Sequence, residues 1–204
     1  MEFGIAERAI DALLAQNKRA VVAIDGRCGA GKSTLANAVA QIYSADIIHM
    51  DDFFLSAELR TKERLSSPGG NVHYERFFDE VVLPLNHGGS FSYRVFDCTK
   101  MDFSSYRTVN ANGLILIEGA YSHHPYFAAA LGHEPYNLRV FMDISPTLQR
   151  ERIIARGGGE AYQSFERMWI PLEEAYIGAY DIKGKAGLVL LSPLSPTHAC
   201  CRSW

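Results

Sequence analysis

Gly26-Arg27-Cys28-Gly29-Ala30-Gly31-Lys32-Ser33 carries three glycines, a lysine and a hydroxyl at the spacing GxxxxGK[ST]. Glycines so placed let the backbone curl until successive N–H groups converge on one anion, and a helix opening near Lys32 adds its positive end. The chemistry is that of a nucleoside triphosphate such as ATP: Lys32 would reach the β and γ phosphates, and Ser33 would offer its hydroxyl to Mg²⁺. Thr34 completes the predicted nucleotide-contacting run that starts at Gly26. The surroundings agree, because the apolar run Ala20 to Ile24 precedes the loop and a helical stretch, Ser33 to Tyr43, follows it.

Further along, Ile48-His49-Met50-Asp51-Asp52-Phe53-Phe54 places acids and aromatics at the end of an apolar run. Tyr74-Glu75-Arg76-Phe77-Phe78 opens a helical stretch, Tyr93-Arg94-Val95-Phe96-Asp97 has hairpin alternation, and Leu116-Ile117-Glu118-Gly119 ends an apolar run. Phe141-Met142-Asp143 comes next, before a helix that contains Arg152 and Arg156. In this order the segments resemble the uridine kinase family, over about residues 21–191. Phosphoribulokinase and bacterial pantothenate kinase share much of the outline. The resemblance implies a P-loop fold, ATP and Mg²⁺ as cofactors, and phosphoryl transfer to a hydroxyl of a nucleoside, uridine-like small molecule. It also implies that Asp51 is the general base. One stretch departs from the family, which places an Asp before the Tyr74 helix to grip ribose. This chain reads Gly70-Asn71-Val72-His73, so His73 becomes the candidate to hold the acceptor.

The residues support several of these roles independently. A carboxylate at the carboxyl end of a strand beside the phosphate-loop strand lies where open α/β sheets bind ligands, and there it can accept a hydroxyl proton. Asp51 is placed so, with Asp52 as its rival; either could instead cap a helix. Glu118 should emerge beside the phosphates and bind Mg²⁺ through water, or else pair with a nearby cation. Arg152 and Arg156, four apart, share a helical face and could close over the transferred phosphate as a lid, with Gly157-Gly158-Gly159 as its joint, or form a solvated basic face. Tyr93, Phe96 and Asp97 could stack on and hydrogen-bond an acceptor ring, although hairpin packing explains the aromatics equally well. His123-His124 reads as loop, lacking a third ligand at metal spacing. Phe165, Trp169, Leu172 and Tyr176 recur at helical spacing and read as core packing.

These side chains need a frame. Short apolar runs at residues 20–24, 47–50, 114–117, 138–142 and 188–191, separated by chain enough for helices, predict an α/β fold: a parallel sheet covered by helices on both faces. Residues 5–16 form an amphipathic helix expected on a sheet edge. At 204 residues the chain fits a single kinase domain, 1–191, with an acceptor-site insertion over about 56–112 and an irregular tail, 192–204. A formal charge of −3 makes no field that gathers nucleic acid or an anionic membrane. With no membrane-length apolar run and no signal-peptide pattern, a soluble cytoplasmic protein is expected, a homo-oligomer being compatible. Cys28, Cys98, Cys200 and Cys201 lack metal or disulfide spacing and read as reduced thiols. The alternatives are a kinase of another hydroxylated metabolite, pantothenate or a vitamin riboside, and a nucleotide-binding regulatory protein without transfer. A GTPase is disfavoured because no NKxD follows the loop. A motor ATPase is disfavoured because the run ending at Glu118 lacks an Asp-Glu pair.

Overall fold

The computed structural model describes residues 2–192, so the expected tail, apart from Ser192, and Cys200 and Cys201 lie outside the described residues. In chain order the strands are β1 (Ala20–Gly26), β2 (Asp46–His49), β3 (Ser90–Asp97), β4 (Asp102–Asn110), β5 (Leu114–Glu118), β6 (Leu138–Asp143) and β7 (Leu188–Leu191). The helices are α1 (Glu2–Leu14), α2 (Lys32–Tyr43), α3 (Lys62–Ser66), α4 (Tyr74–Phe77), α5 (Leu83–His87), α6 (Tyr126–Leu131), α7 (Pro146–Ser164) and α8 (Ile170–Tyr180).

Five strands form one sheet in the order β2-β5-β1-β6-β7, with every pairing parallel. β1 and β5 are buried along their whole length, which is why both read as unbroken apolar sequence. Alternate residues feed two cores. Val21, Ala23, Ile115, Ile117 and Phe141 face the insertion and Tyr176 of α8, while Val22, Ile24, Leu116, Val140 and Met142 face Ala6 and Ile10 of α1 and Leu35 and Val39 of α2. The sequence suggested that the Asp51 strand lies beside the phosphate-loop strand; instead β5 lies between β2 and β1. The physical reason is burial: the fully apolar β5 takes an interior place, and β2, whose Asp46 and Ile47 are only half-buried, takes the edge.

Between β2 and β5 the insertion forms a hairpin, β3–β4, with a bulge at Val95/Phe96, and a helical rod from α4 to α5. The rod is widened by a π turn at Phe78–Val82, just ahead of Pro84, and a second π turn at Phe165–Trp169 precedes Pro171. Proline brings no N–H to the helical ladder, and the wider turn absorbs the mismatch. The expected continuous core face of the last helix holds only at Tyr176. Phe165, Trp169 and Leu172 are half-buried, and Trp169 stands 6.0 Å from the Phe54 ring.

Candidate active site

The loop between β1 and α2 begins at Gly26, whose φ is 135° and whose missing Cβ would lie 2.1 Å from the Met142 carbonyl oxygen. Only glycine fits there. Lys32 Nζ donates to the Gly26 and Arg27 carbonyls at 2.7 and 3.1 Å, and Ser33 lies in the first turn of α2. The loop is braced from three directions. Beneath it the buried Asp25 accepts N–H groups from Gly26, Tyr121 and His123 and the Tyr176 hydroxyl. From α8, Glu173 Oε2 accepts the Cys28 N–H at 2.8 Å, and Glu174 takes the Arg27 guanidinium at 2.5 and 2.9 Å. Arg27 also pairs with Asp143. From α7, Gln149 donates to the Cys28 carbonyl and Arg152 to the Gly29 carbonyl, both at 3.0 Å, while the Ser192 hydroxyl donates to Ala30 O. Burial, with the Glu173 charge, pushes the Cys28 thiol up to about 12, so it stays protonated.

Beside Ser33 lies a group of acids. β5 is in register with both β1 and β2, so Glu118 stands opposite Ile24 on one side and His49 on the other. Its Oε2 accepts the Ser33 hydroxyl at 3.1 Å, and its Oε1 lies 2.5 Å from His49 Nδ1. Burial acts to raise the Glu118 carboxyl, but His49, Lys32 and Ser33 outweigh it and hold it below the ordinary range. Two residues past β2, Asp51 shows the reverse: burial and the Glu118 charge push it up to about 7, against the pull of Lys32 and His49. Asp52 is held by its neighbours. Its Oδ2 accepts the Tyr93 hydroxyl at 3.0 Å and pairs with Arg107 at 3.3 Å, and its carbonyl accepts from the buried Arg76 at 2.6 Å.

The other predicted residues divide. Tyr93 is buried in the core against Phe53, with ring centroids 5.2 Å apart, and its part is to hold Asp52. Phe96 is also buried and packs edge-on to Phe103 at 5.8 Å, as scaffold of the hairpin. Asp97 is spent on the hairpin turn, where bonds from Thr99 and then Lys100 bring it down to about 2. That turn nevertheless sits by the acids, since Cys98 feels the charges of Arg60, Asp51 and Asp97. His73 begins α4, donates its N–H to Phe53 O at 2.8 Å, and lines a cleft of about 260 Å³ with Leu55, Leu59, Thr61 and Arg64. Burial holds its imidazole below the usual range, hence neutral. Arg152 and Arg156 have different surroundings. Arg152 is drawn to the loop carbonyl, whereas Arg156 is exposed with its guanidinium 5.5 Å from the Phe165 ring. Gly158, at φ 79° and ψ 179°, breaks α7 just after Arg156, where the sequence placed a joint. Among the described residues no group of three His, Cys, Asp or Glu could hold a metal ion, and His123 and His124 lie buried in the turn after β5.

No family model matches the chain, and no curated protein matches it in sequence. Solved structures do. A "Possible Uridine Kinase" from Bacillus stearothermophilus is 20% identical, with 90% of this chain and 96% of that one covered and a TM-score of 0.64. A candidate fructose transport system kinase from Silicibacter sp. TM1040 is 20% identical over 93% and 98%, at a TM-score of 0.65. YFH7 of Saccharomyces cerevisiae, a candidate P-loop kinase with a circular permutation, is 14% identical over 94% and 98%, at 0.64. The fold is that of a P-loop kinase.

In this P-loop kinase fold several residues around the loop escaped the sequence reading. Asp25 follows the apolar run Ala20 to Ile24, and an acid in that place is a local signal of a buried carboxylate beneath the loop. His49 sits in the motif that singled out Asp51, and its proximity to Glu118 follows only from strand register. Glu173 and Glu174 come from α8, 145 and 147 residues along the chain from their partners, and no local pattern announces them.

Proposed function

We propose that the chain is an ATP-dependent kinase that transfers the γ-phosphoryl group to a hydroxyl of a nucleoside-like, uridine-like acceptor. The observation that carries this reading is the contrast between two neighbouring carboxylates. Asp52 is tied by Tyr93, Arg107 and Arg76, while no side chain among the described residues hydrogen-bonds or ion-pairs with the Asp51 carboxyl. Such a carboxyl can accept a hydroxyl proton, and burial together with the Glu118 charge brings its pKa toward the operating pH. Ser33 Oγ and Glu118 Oε2, 3.1 Å apart, offer two hard oxygen donors, and Mg²⁺ takes one or two protein oxygens and completes its shell with phosphates and water. They fit the ion, which when bound would offset the negative charge of the phosphates.

On this reading Asp51 takes the proton of the acceptor hydroxyl as that oxygen bonds to the γ-phosphorus, and ADP carries away the electron pair of the broken P–O bond. Lys32 turns from the loop carbonyls to the phosphates and offsets their charge. Arg152 holds the loop in shape, and Arg156, exposed beside the Gly158 break, is the arginine available to reach the transferred group. The acceptor enters between the hairpin turn and the His73 cleft, where Leu55 and Leu59 can pack on a ring and His73, Thr61, Glu58, Arg64 and Glu75 offer polar contacts to its hydroxyls. The test is a screen of nucleosides, pantothenate and vitamin ribosides for acceptor-dependent ADP release. A nucleoside that releases ADP in step with its own phosphorylation is the expected result. ADP release that no acceptor accelerates would leave only nucleotide binding.

A further inference from the structure

His49 closes β2, is buried, and faces Glu118 in register across the β2–β5 ladder. The two oxygens of Glu118 are thus divided between two elements: Oε1 to His49 Nδ1 at 2.5 Å, and Oε2 to the Ser33 hydroxyl of α2 at 3.1 Å. An ionised carboxylate only accepts, so Nδ1 carries the hydrogen and donates it. Without that donor the Glu118 carboxylate could turn part-way about its last side-chain bond and carry both oxygens away from Ser33. Groups that hold a metal-binding carboxylate from behind set its orientation, and losing one typically weakens metal binding about 10–100-fold.

We propose that His49 is a positioning residue of the phosphate site. By donating Nδ1–H to Glu118 Oε1 it fixes Oε2 at Ser33, and the divalent-cation affinity of that pair depends on a side chain that contacts neither the cation nor the nucleotide. The inference rests on the reading of Ser33 and Glu118 as the Mg²⁺ pair. A packing role alone makes a different prediction, because then side-chain volume matters and the position of the donor does not.

Asparagine and glutamine separate the two cases. The Asn amide nitrogen falls near the place of His Nδ1, and the Gln nitrogen near that of Nε2. The probe is the fluorescent analogue mant-ATP, titrated into the full chain with saturating Mg²⁺ and again with EDTA, with thermal melts alongside. In the unaltered chain Mg²⁺ tightens binding. His49→Gln is expected to lose about tenfold or more of that gain, and His49→Asn to keep it within about threefold, with the EDTA affinity alike in all three proteins. Equal Mg²⁺ gains in His49→Gln and the unaltered chain would overturn the proposal. So would equal losses in the two variants, or a loss equally large in EDTA. Should one variant lack a cooperative melt, the Mg²⁺ gain of the other against the unaltered chain decides. An unaltered chain that binds mant-ATP with no Mg²⁺ dependence sinks the kinase reading itself, whereas a Mg²⁺ dependence that His49→Gln leaves intact sinks only the role of His49.

Discussion

Asp51 and Asp52 are neighbours that their surroundings drive apart. Asp51→Asn should retain nucleotide binding and lower transfer by about 10²-fold or more, the usual scale for a lost general base. Asp52→Asn should cost less in rate but, with Tyr93 and Arg107 left partly unpaired, about 1–3 kcal/mol in stability by urea denaturation. With Asp51 as the proposed base, which must be ionised to take a proton, kcat/KM should climb with pH and level off above about 7, a limb that Asp51→Asn removes. Its linkage to folding has the opposite sense. From the ordinary carboxylate range up to about 7 the folded chain keeps a proton that the unfolded chain has released, so stability falls as pH rises. Asp51→Asn should therefore raise the melting temperature at pH 8 and leave it nearly unchanged at pH 4. His124 contributes in the other direction. Burial first, then Arg64, brings it down to about 4, and it lies stacked 4.3 Å from Tyr74. Between about pH 6.5 and 4 the unfolded chain takes up a proton that the folded chain refuses, so stability is full above that window and drops within it, by at most about 3 kcal/mol. His124→Phe should flatten this acid limb in urea titrations at pH 7.5 and 5, and an unchanged limb would assign it to other groups.

Two helices bring sequence-distant side chains to the Gly26–Ser33 loop. α8 reaches the loop with Glu173, Glu174 and Tyr176, which bind Cys28, Arg27 and Asp25. Tyr176→Phe keeps the ring and removes one buried hydrogen bond to a carboxylate, so it should cost about 1–3 kcal/mol and weaken nucleotide binding with it. A stability loss with no change in nucleotide affinity would show that Asp25 holds the core and not the loop. α7 is broken at Gly158, whose backbone lies in a region essentially reserved for glycine. Gly158→Ala should cost about 1–3 kcal/mol if the break persists, or else fuse the two halves of α7 and lower kcat by holding Arg156 away from the site. Equal stability and equal kcat would mean that the break has no part in turnover.

At the scale of the whole molecule, saturating Mg-ATP at about 100 times its Kd should add about 2.7 kcal/mol and raise the melting temperature by roughly 5–10 °C, and chelation should remove most of that gain. How much of this was legible in the sequence follows the range of each signal. The sheet, the loop from Gly26 to Ser33 and the acids at Asp51 and Glu118 could be read because each is a local pattern of apolar run, glycine and charge. Strand order could not, since β2 and β5 pair across 64 intervening residues of insertion, and neither strand states its neighbour. Tyr93, Phe96 and Asp97 have side chains fit to grip a ligand, but that Tyr93 and Phe96 are buried and that Asp97 binds Thr99 in the turn could not be read from residue type. Residue type shows what a side chain can do, and competition for it is settled only in three dimensions.

The edge position of β2 has a consequence for how such a protein diversifies. Asp46, its first residue, accepts the Asn110 N–H through Oδ2 at 2.6 Å, so the stretch from Asp46 to Asn110 is tied at its two ends. That stretch contains the Asp51 turn, the His73 cleft and the hairpin, and its one ladder to the rest of the sheet is the short pairing with β5. It is a cassette. On the proposed reading, exchanging it whole, cut beside Asp46 and Asn110, would replace the choice of acceptor together with Asp51 and the His49 contact to Glu118, so a replacement must supply both, while β1, β6 and α2, which shape the Gly26–Ser33 loop, stay uncut.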